Sequence, residues 1–225
     1  MQKFALIHDG TVQGWQATYQ AFHVANRLGA PLQVLIVDPD QDKAKLAQRA
    51  AQVEVGGRAA GVAMETHLLT DFSMDALKES ITAIDGLFLP QRLTPDGETV
   101  ASYLDAFSCP LWIVSKESEI KKIAVLVNDL AEDTPLISYT KTLSHRLQQS
   151  LTVILLKDKL QSDPAIDLQD LQRLELSTLS QTTINQELEK LHIGLLFISA
   201  THANMINELS CNCVVNPMDK RLSKD

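Results

Sequence analysis

The chain has 225 residues, of which 45% are hydrophobic and 21% charged, and it carries a net charge of −8. That acidic balance argues against nucleic acid or an anionic membrane as the main partner. No apolar run approaches the roughly 20 residues that a bilayer demands. Three cysteines cannot build a disulfide framework and the opening residues do not read as a signal peptide, so a reducing, cytoplasmic setting is the expectation.

The first element, Phe4–Ile7, is a short apolar run without polar alternation, the pattern of a strand covered on both faces in a parallel sheet. It runs into His8-Asp9-Gly10-Thr11. The next segment places Ala17, Ala21, Val24 and Leu28 on one helical face, with Gly29 suited to its C-terminal end. Trp15, Tyr19 and Phe22 share that helix at helical spacing and are expected in the core. Leu32–Val37 is the second strand. Asp38-Pro39-Asp40 and Asp42 follow it and read as a solvated acidic loop rather than a metal site. Met64–Leu69, Leu87–Leu89 and Leu111–Val114 complete five strands, and a short polar junction over Ser115–Lys122 closes the first half.

From Ile123 the pattern begins again. IAVLVN at Ile123–Asn128 matches FALIHD at Phe4–Asp9, 119 positions later, and Val153-Ile154-Leu155-Leu156 matches Val34-Leu35-Ile36-Val37 at the same offset. Leu174-Glu175-Leu176 matches Met64-Glu65-Thr66 at offset 110. Leu195-Leu196-Phe197-Ile198 matches Gly86-Leu87-Phe88-Leu89 at 109, and Ser210-Cys211 matches Ser108-Cys109 at 102. The shrinking offset describes a second copy with two cuts, one between its second and third strands and one after its fourth. Its strands read as Ile123–Val127, Leu151–Leu156, Leu174–Leu179, Leu195–Ile198 and Cys213–Val215. Leu136, Thr140, Leu143 and Leu147 repeat the buried face of the first helix. Thr134 is its expected N-cap with Pro135 at the first helical position, and Thr183-x-x-Gln186 is a capping box for a later helix. The tail Asp219–Asp225 is charged and is expected to fray. A period this long is a duplicated domain rather than a solenoid. The expected architecture is therefore α/β: two tandem doubly wound parallel five-stranded sheets, over residues 1–117 and a shortened 120–225.

Doubly wound sheets bind ligands beyond the carboxyl ends of their strands. Asp9, followed by Gly10, stands at such an end. It can contact a ribose hydroxyl or a base edge, or it can cap the loop and helix that follow; the sequence leaves both open. Cys109, Cys211 and Cys213 read as buried thiols rather than metal ligands. The six histidines are scattered, and His8 reads as a strand-end residue rather than a base. There is no Walker A, HExxH or GxSxG motif, so no catalytic residue and no metal site is assigned.

FALIHDGT, then VANRLGAPLQVLIVD, then SCPLWIV resemble, in order and spacing, the strand, helix and closing-strand motifs of the universal stress protein (UspA-like) family. The resemblance spans nearly the whole chain as two copies, good in the first and eroded in the second. It implies a Rossmann-like fold of the adenine nucleotide alpha hydrolase-like type, with strand order 3-2-1-4-5. It further implies a ligand crevice at Asp9, Gly10, Thr11, Val37, Gly97 and Thr99. Many members of that family bind ATP through Gly-x2-Gly-x9-Gly-Ser/Thr after the fourth strand. Here Pro90 and Leu93 stand where the first two glycines belong, Asn128 replaces the aspartate in the second copy, and SATHANMINE leaves no room for the loop. A proline offers no N–H to a phosphate.

The expectation is thus a non-enzymatic stress-response or regulatory protein working through protein–protein contacts. No cofactor is expected; ATP or another adenine nucleotide is a disfavoured possibility. The second copy would be an internal pseudo-dimer partner, with a homodimer also open, beside a protein partner that the sequence does not identify. The alternative is a nucleotide- or nucleoside-binding switch, or a weak nucleotide hydrolase, using the crevice of the first domain. A regulatory module related to those of ion transporters has no specific support in the sequence.

Overall fold

The computed structural model describes residues 2–38, 42–91, 100–115, 120–156, 171–176 and 180–217. The chain divides into two compact units, Met1–Glu117 and Ser118–Asp225.

In the first unit the elements run β1 (Phe4–His8), α1 (Val12–Leu28), β2 (Leu32–Val37), α2 (Lys43–Ala59), β3 (Met64–Leu69), α3 (Met74–Ser80), β4 (Gly86–Pro90), α4 (Val100–Phe107) and β5 (Leu111–Val114). All strand pairs are parallel: β1 lies between β2 and β4, β3 flanks β2, and β5 flanks β4. Every residue of β1, β2, β4 and β5 is buried, which is why these strands are apolar without alternation. The outer strand β3 mixes half-buried and exposed positions and tolerates Glu65, Thr66 and His67. Phe4, Phe88 and Trp112 form an aromatic cluster beneath the sheet, with Phe88 and Trp112 stacked at 4.8 Å. Gly86 admits it, because a Cβ there would come within 2.9 Å of the Phe4 ring.

In the second unit the described elements are β6 (Lys122–Val127), α5 (Thr134–Leu147), β7 (Ser150–Leu156), β8 (Gln172–Leu176), α6 (Gln181–Lys190), β9 (Leu195–Ser199), a 3-10 helix (Ala200–Glu208) and β10 (Asn212–Asn216). Pairing is again parallel: β6 lies between β7 and β9, β8 flanks β7, and β10 flanks β9. The repeat extends to the register of the strands. Phe4 pairs with Leu32 and Ile123 with Leu151; Phe4 pairs with Gly86 and Ile123 with Leu195; Leu87 pairs with Leu111 and Leu196 with Cys213.

The third strand departs from the sequence expectation. Gln33 pairs with Glu65, while its equivalent Thr152 pairs with Gln172, so the true offset is 107 (172 − 65), not 110. Met64-Glu65-Thr66 and Leu174-Glu175-Leu176 look alike but are not equivalent. On a half-exposed outer strand, burial does not discipline the pattern. The second cut shows in the elements: the 3-10 helix Ala200–Glu208 lies between β9 and β10 where the first unit carries α4 between β4 and β5.

The predicted helical faces are buried: Ala17, Ala21, Val24 and Leu28 on α1, and Leu136, Thr140, Leu143 and Leu147 on α5. Thr140 is satisfied within its helix, its hydroxyl donating to the Leu136 carbonyl at 2.7 Å. Three local expectations need correction. Phe22 is buried but Trp15 is half-buried and Tyr19 is 52% exposed, because these two lie beside, not on, the buried stripe of α1 that Gly14, Ala17, Thr18 and Ala21 form. Helix α5 starts one residue early, with Asp133 at the N-cap position and Thr134 inside, its hydroxyl donating to the Leu130 carbonyl. Ser180, not Thr183, caps α6 by accepting from the Thr183 N–H at 3.1 Å. The tail Asp219–Asp225, expected to fray, lies outside the described residues. Among the described residues no helix is long and apolar enough to cross a membrane.

Candidate functional site

The candidate crevice of the first unit lies at the carboxyl ends of β1 and β2. Strand β1 delivers His8 and Asp9. Gly10 then takes a left-handed conformation (φ 76°), which turns the chain sharply into α1. Thr11 caps that helix, its hydroxyl accepting from the Gly14 N–H at 3.0 Å.

Asp9 is committed to this turn. Its Oδ1 accepts from the Thr11 N–H at 3.0 Å and from the Thr11 hydroxyl at 2.7 Å. It also lies where a Cβ on Gly14 would sit, 2.2 Å away, so Gly14 is what lets the carboxylate fold back over the helix start. Of the two roles open in the sequence, the geometry displays the local one.

His8 is fully buried. Its Nδ1 lies 2.9 Å from the Thr18 hydroxyl, and its ring meets Trp15 edge-on at 4.5 Å. Thr18 spends its only hydrogen on the Gly14 carbonyl at 2.8 Å, so His8 Nδ1 must be the donor and Nε2 carries the lone pair. That Nε2 is buried without a hydrogen-bond partner. Burial pulls the imidazole pKa below its ordinary value of 6.5. The Gly14 carbonyl and Asp9 work against that shift, and Arg49 adds to it. A neutral imidazole with its free nitrogen sealed from solvent is not placed to move a proton to or from a ligand.

The residue that organises the crevice is Arg49 on α2. Its Nη1 donates to the Val37 carbonyl at 3.0 Å and to Asp38 Oδ1 at 2.8 Å. Its guanidinium lies over Gly10, where a Cβ would come within 2.2 Å of Nε. The acidic loop expected to be solvated therefore begins with a buried, paired carboxylate. Asp38 accepts from the Asp42 N–H at 2.9 Å as well as from Arg49, and these bonds hold its carboxyl below the usual range. Asp42 caps α2 through the Ala44 and Lys45 N–H groups. Of the predicted positions, Gly10 and Val37 meet at Arg49 and Asp9 and Thr11 bond to each other. Gly97 and Thr99 lie outside the described residues.

Sequence reasoning missed Arg49, although a signal was present. The buried stripe of α2 is Leu46, Val53 and Gly57. Position 49 falls on that stripe, and a cation on an inward face needs a buried partner.

The equivalent site in the second unit is closed by its own loop. The Asn128 and Asp129 N–H groups donate to Asp133 Oδ2 at 2.7 and 3.1 Å, and Asp129 Oδ1 accepts from the Ala131 and Glu132 N–H groups. Asp133 therefore makes no capping bond to α5. At the end of β9, Ser199, Thr201 and His202 are mutually hydrogen-bonded, tying off the start of the 3-10 helix.

The three free cysteines are buried. Burial, with a smaller contribution from Asp85, pushes the Cys109 thiol up to about 12; Cys213 is pushed well up by its contact with Cys211 and by burial. Such thiols are unreactive. Among the described residues no group of three or more His, Cys, Asp or Glu side chains could hold a metal ion.

No protein-family model and no curated protein matches the sequence. Solved structures do match the fold. A universal stress protein from Archaeoglobus fulgidus DSM 4304 aligns over 96% of this chain and 96% of its own, with a TM-score of 0.65 at 13% identity. A functionally unknown protein from Pseudomonas aeruginosa PAO1 aligns over 100% and 98%, with a TM-score of 0.67 at 14% identity. The cytoplasmic domain of a prokaryotic cation chloride cotransporter aligns over 99% and 98%, with a TM-score of 0.57 at 13% identity. The chain thus has the α/β, Rossmann-like fold of the universal stress proteins, with parallel strand pairing within each unit.

Proposed function

We propose that this chain is a tandem universal-stress-type protein, each half one doubly wound domain of strand order 3-2-1-4-5, that regulates through protein–protein contacts and does not hold ATP tightly. One observation carries the reading: the crevice of the first unit is already occupied by the chain itself. Asp9 is bonded to Thr11, and the Val37 carbonyl and the surface of Gly10 are taken by Arg49. Strand β4 ends in Pro90, which has no N–H to offer a phosphate. Among the described residues the second unit offers no compensating cradle at the end of β6, since that loop is closed on Asp129 and Asp133. In this reading the second unit is an internal partner for the first, and what remains for function is surface.

The full-length fold likeness to a transporter's cytoplasmic domain adds a second reading of the same class, a regulatory module acting on a membrane transport protein. Native mass spectrometry of the protein as purified from its own cells tests the shared claim. The expected species carry the chain with protein partners and no nucleotide. Stoichiometric retention of an adenine nucleotide would overturn it.

A further inference from the structure

Of the four large hydrophobic side chains exposed among the described residues, three stand on one pair of helices: Val12 and Tyr19 on α1 and Val55 on α2. Val12, Trp15 and Tyr19 fall at i, i+3 and i+7 and so form one stripe. The two helices touch at Gly56, where a Cβ would lie 3.2 Å from the Phe22 ring, and again where the Asn26 amide donates to the Ala60 carbonyl. A trough runs along this seam. Its upper part is a cavity of about 740 Å³ between the Trp15 and Tyr19 rings, 6.0 Å apart, and a wall of Ala51, Val55 and Gly56. A second cavity of about 580 Å³ shares Tyr19 and Gly56 and continues to Arg27. From Val12 to Arg27 the trough is about 22 Å long at about 1.5 Å per residue, the length of a helix of roughly four turns. Its wall of small residues lets another helix axis come close.

The fold does not require aromatic rings here. The buried stripe of α1 is repeated in α5, but the positions equivalent to Trp15 and Tyr19, 119 residues on, are Thr134 and an exposed Ser138. Charge indicates what covers the rings. With histidine neutral, α1 carries +1 and α2 carries +3, while the whole chain carries −8, so everything outside these two helices carries −12 (−8 − 4). No carboxylate lines either cavity, and His23 and Arg27 line the lower one. A second copy laid on the same face would set two basic surfaces against each other, because a twofold contact joins a patch to itself. An acidic partner meets attraction instead.

We propose that the trough between α1 and α2 is the docking site for an amphipathic helix of a partner protein, with its apolar stripe on Trp15, Tyr19 and Val55 and its flanks rich in Asp and Glu. This rests on the protein–protein reading above and gives that reading a surface. The aromatic rings supply the desolvated anchors of the interface. The basic helices supply attraction and partner choice, which weaken as salt rises.

The test is fluorescence anisotropy of the full chain with two labelled amphipathic peptides of roughly four helical turns. Both carry the same leucine stripe; the polar face is glutamate in one and lysine in the other. The glutamate peptide should bind at least about tenfold more tightly than the lysine peptide. Tyr19→Ser, which installs the residue of the second copy, and Val55→Asp should each weaken it at least about tenfold. Leu68→Asp, at the exposed hydrophobic position on β3, should leave it unchanged. No binding of the glutamate peptide at about 1 mM, or equal binding by the Tyr19 and Val55 variants, would overturn the proposal. A wild-type dimer in sedimentation that Tyr19→Ser dissociates would assign the face to a second copy and overturn it too. Native mass spectrometry of the variants separates this surface from the wider reading: protein partners retained undiminished by Tyr19→Ser and Val55→Asp would leave that reading standing and overturn the trough as their site.

Discussion

His8 shows how one buried side chain ties a local network to solution behaviour. It is neutral, donates through Nδ1 to Thr18, and leaves Nε2 unpartnered. Its pKa is lowered on folding, mainly by burial. The unfolded chain therefore takes up a proton on His8 at a higher pH than the folded protein does. The stability that His8 contributes is present above its ordinary value of 6.5 and is lost as pH falls through that value toward the lower folded one. Urea midpoints measured at falling pH across this window should drop more steeply for the wild type than for His8→Gln; equal slopes would contradict the assignment. Asp9 makes the complementary case. Asp9→Ala removes the acceptor of the Thr11 N–H and hydroxyl and should destabilise the protein by about 1 kcal/mol or somewhat more, read as a lower urea midpoint with an unchanged slope. A ligand-contacting Asp9 would instead leave stability unmoved and alter nucleotide binding.

The two helices that follow the first strand of each unit make a natural comparison at the scale of the element. Both end in a left-handed residue: Gly29 at φ 61° after α1 and Gln148 at φ 57° after α5. These positions are repeat equivalents, 119 apart. Nothing crowds the glycine position, so conformation alone favours glycine there. Gln148→Gly should therefore stabilise the protein by about 1 kcal/mol, raising the urea midpoint, while a neutral or negative effect would mean that the Gln148 side chain contributes more than its strain costs. Element by element, legibility in the sequence followed burial. Central strands β1, β2, β4 and β5 are wholly buried, and their apolar runs located them to within a residue. The outer strands β3 and β8 face solvent in part, and there the repeat was misaligned by three residues. Cap positions slipped by one residue at Thr134 and by three at Thr183, because several neighbouring hydroxyl and carboxyl side chains compete for each helix start. Asp9 and Gly10 stand out in the sequence as the end of β1 and the turn after it; Arg49 over Gly10 does not, since it lies 39 residues further on (49 − 10) and only the folded α2 brings it back.

For the whole molecule, the preserved strand register makes the second unit a structural copy of the first, with a 3-10 helix (Ala200–Glu208) between β9 and β10 where the first unit carries α4. Residues 1–118 expressed alone should self-associate in ultracentrifugation, having lost an internal partner; a stable, well-behaved monomer would count against the proposed pairing. The net charge of −8 gives an approaching polyanion no long-range attraction. The chain is proposed to keep the nucleotide-type fold without holding the nucleotide tightly. Isothermal titration of the full chain with Mg-ATP tests it most directly. The expected dissociation constant is no tighter than roughly 0.1 mM, or about −5.5 kcal/mol. Micromolar affinity, abolished by Asp9→Ala, would contradict it and make the first unit a working nucleotide site.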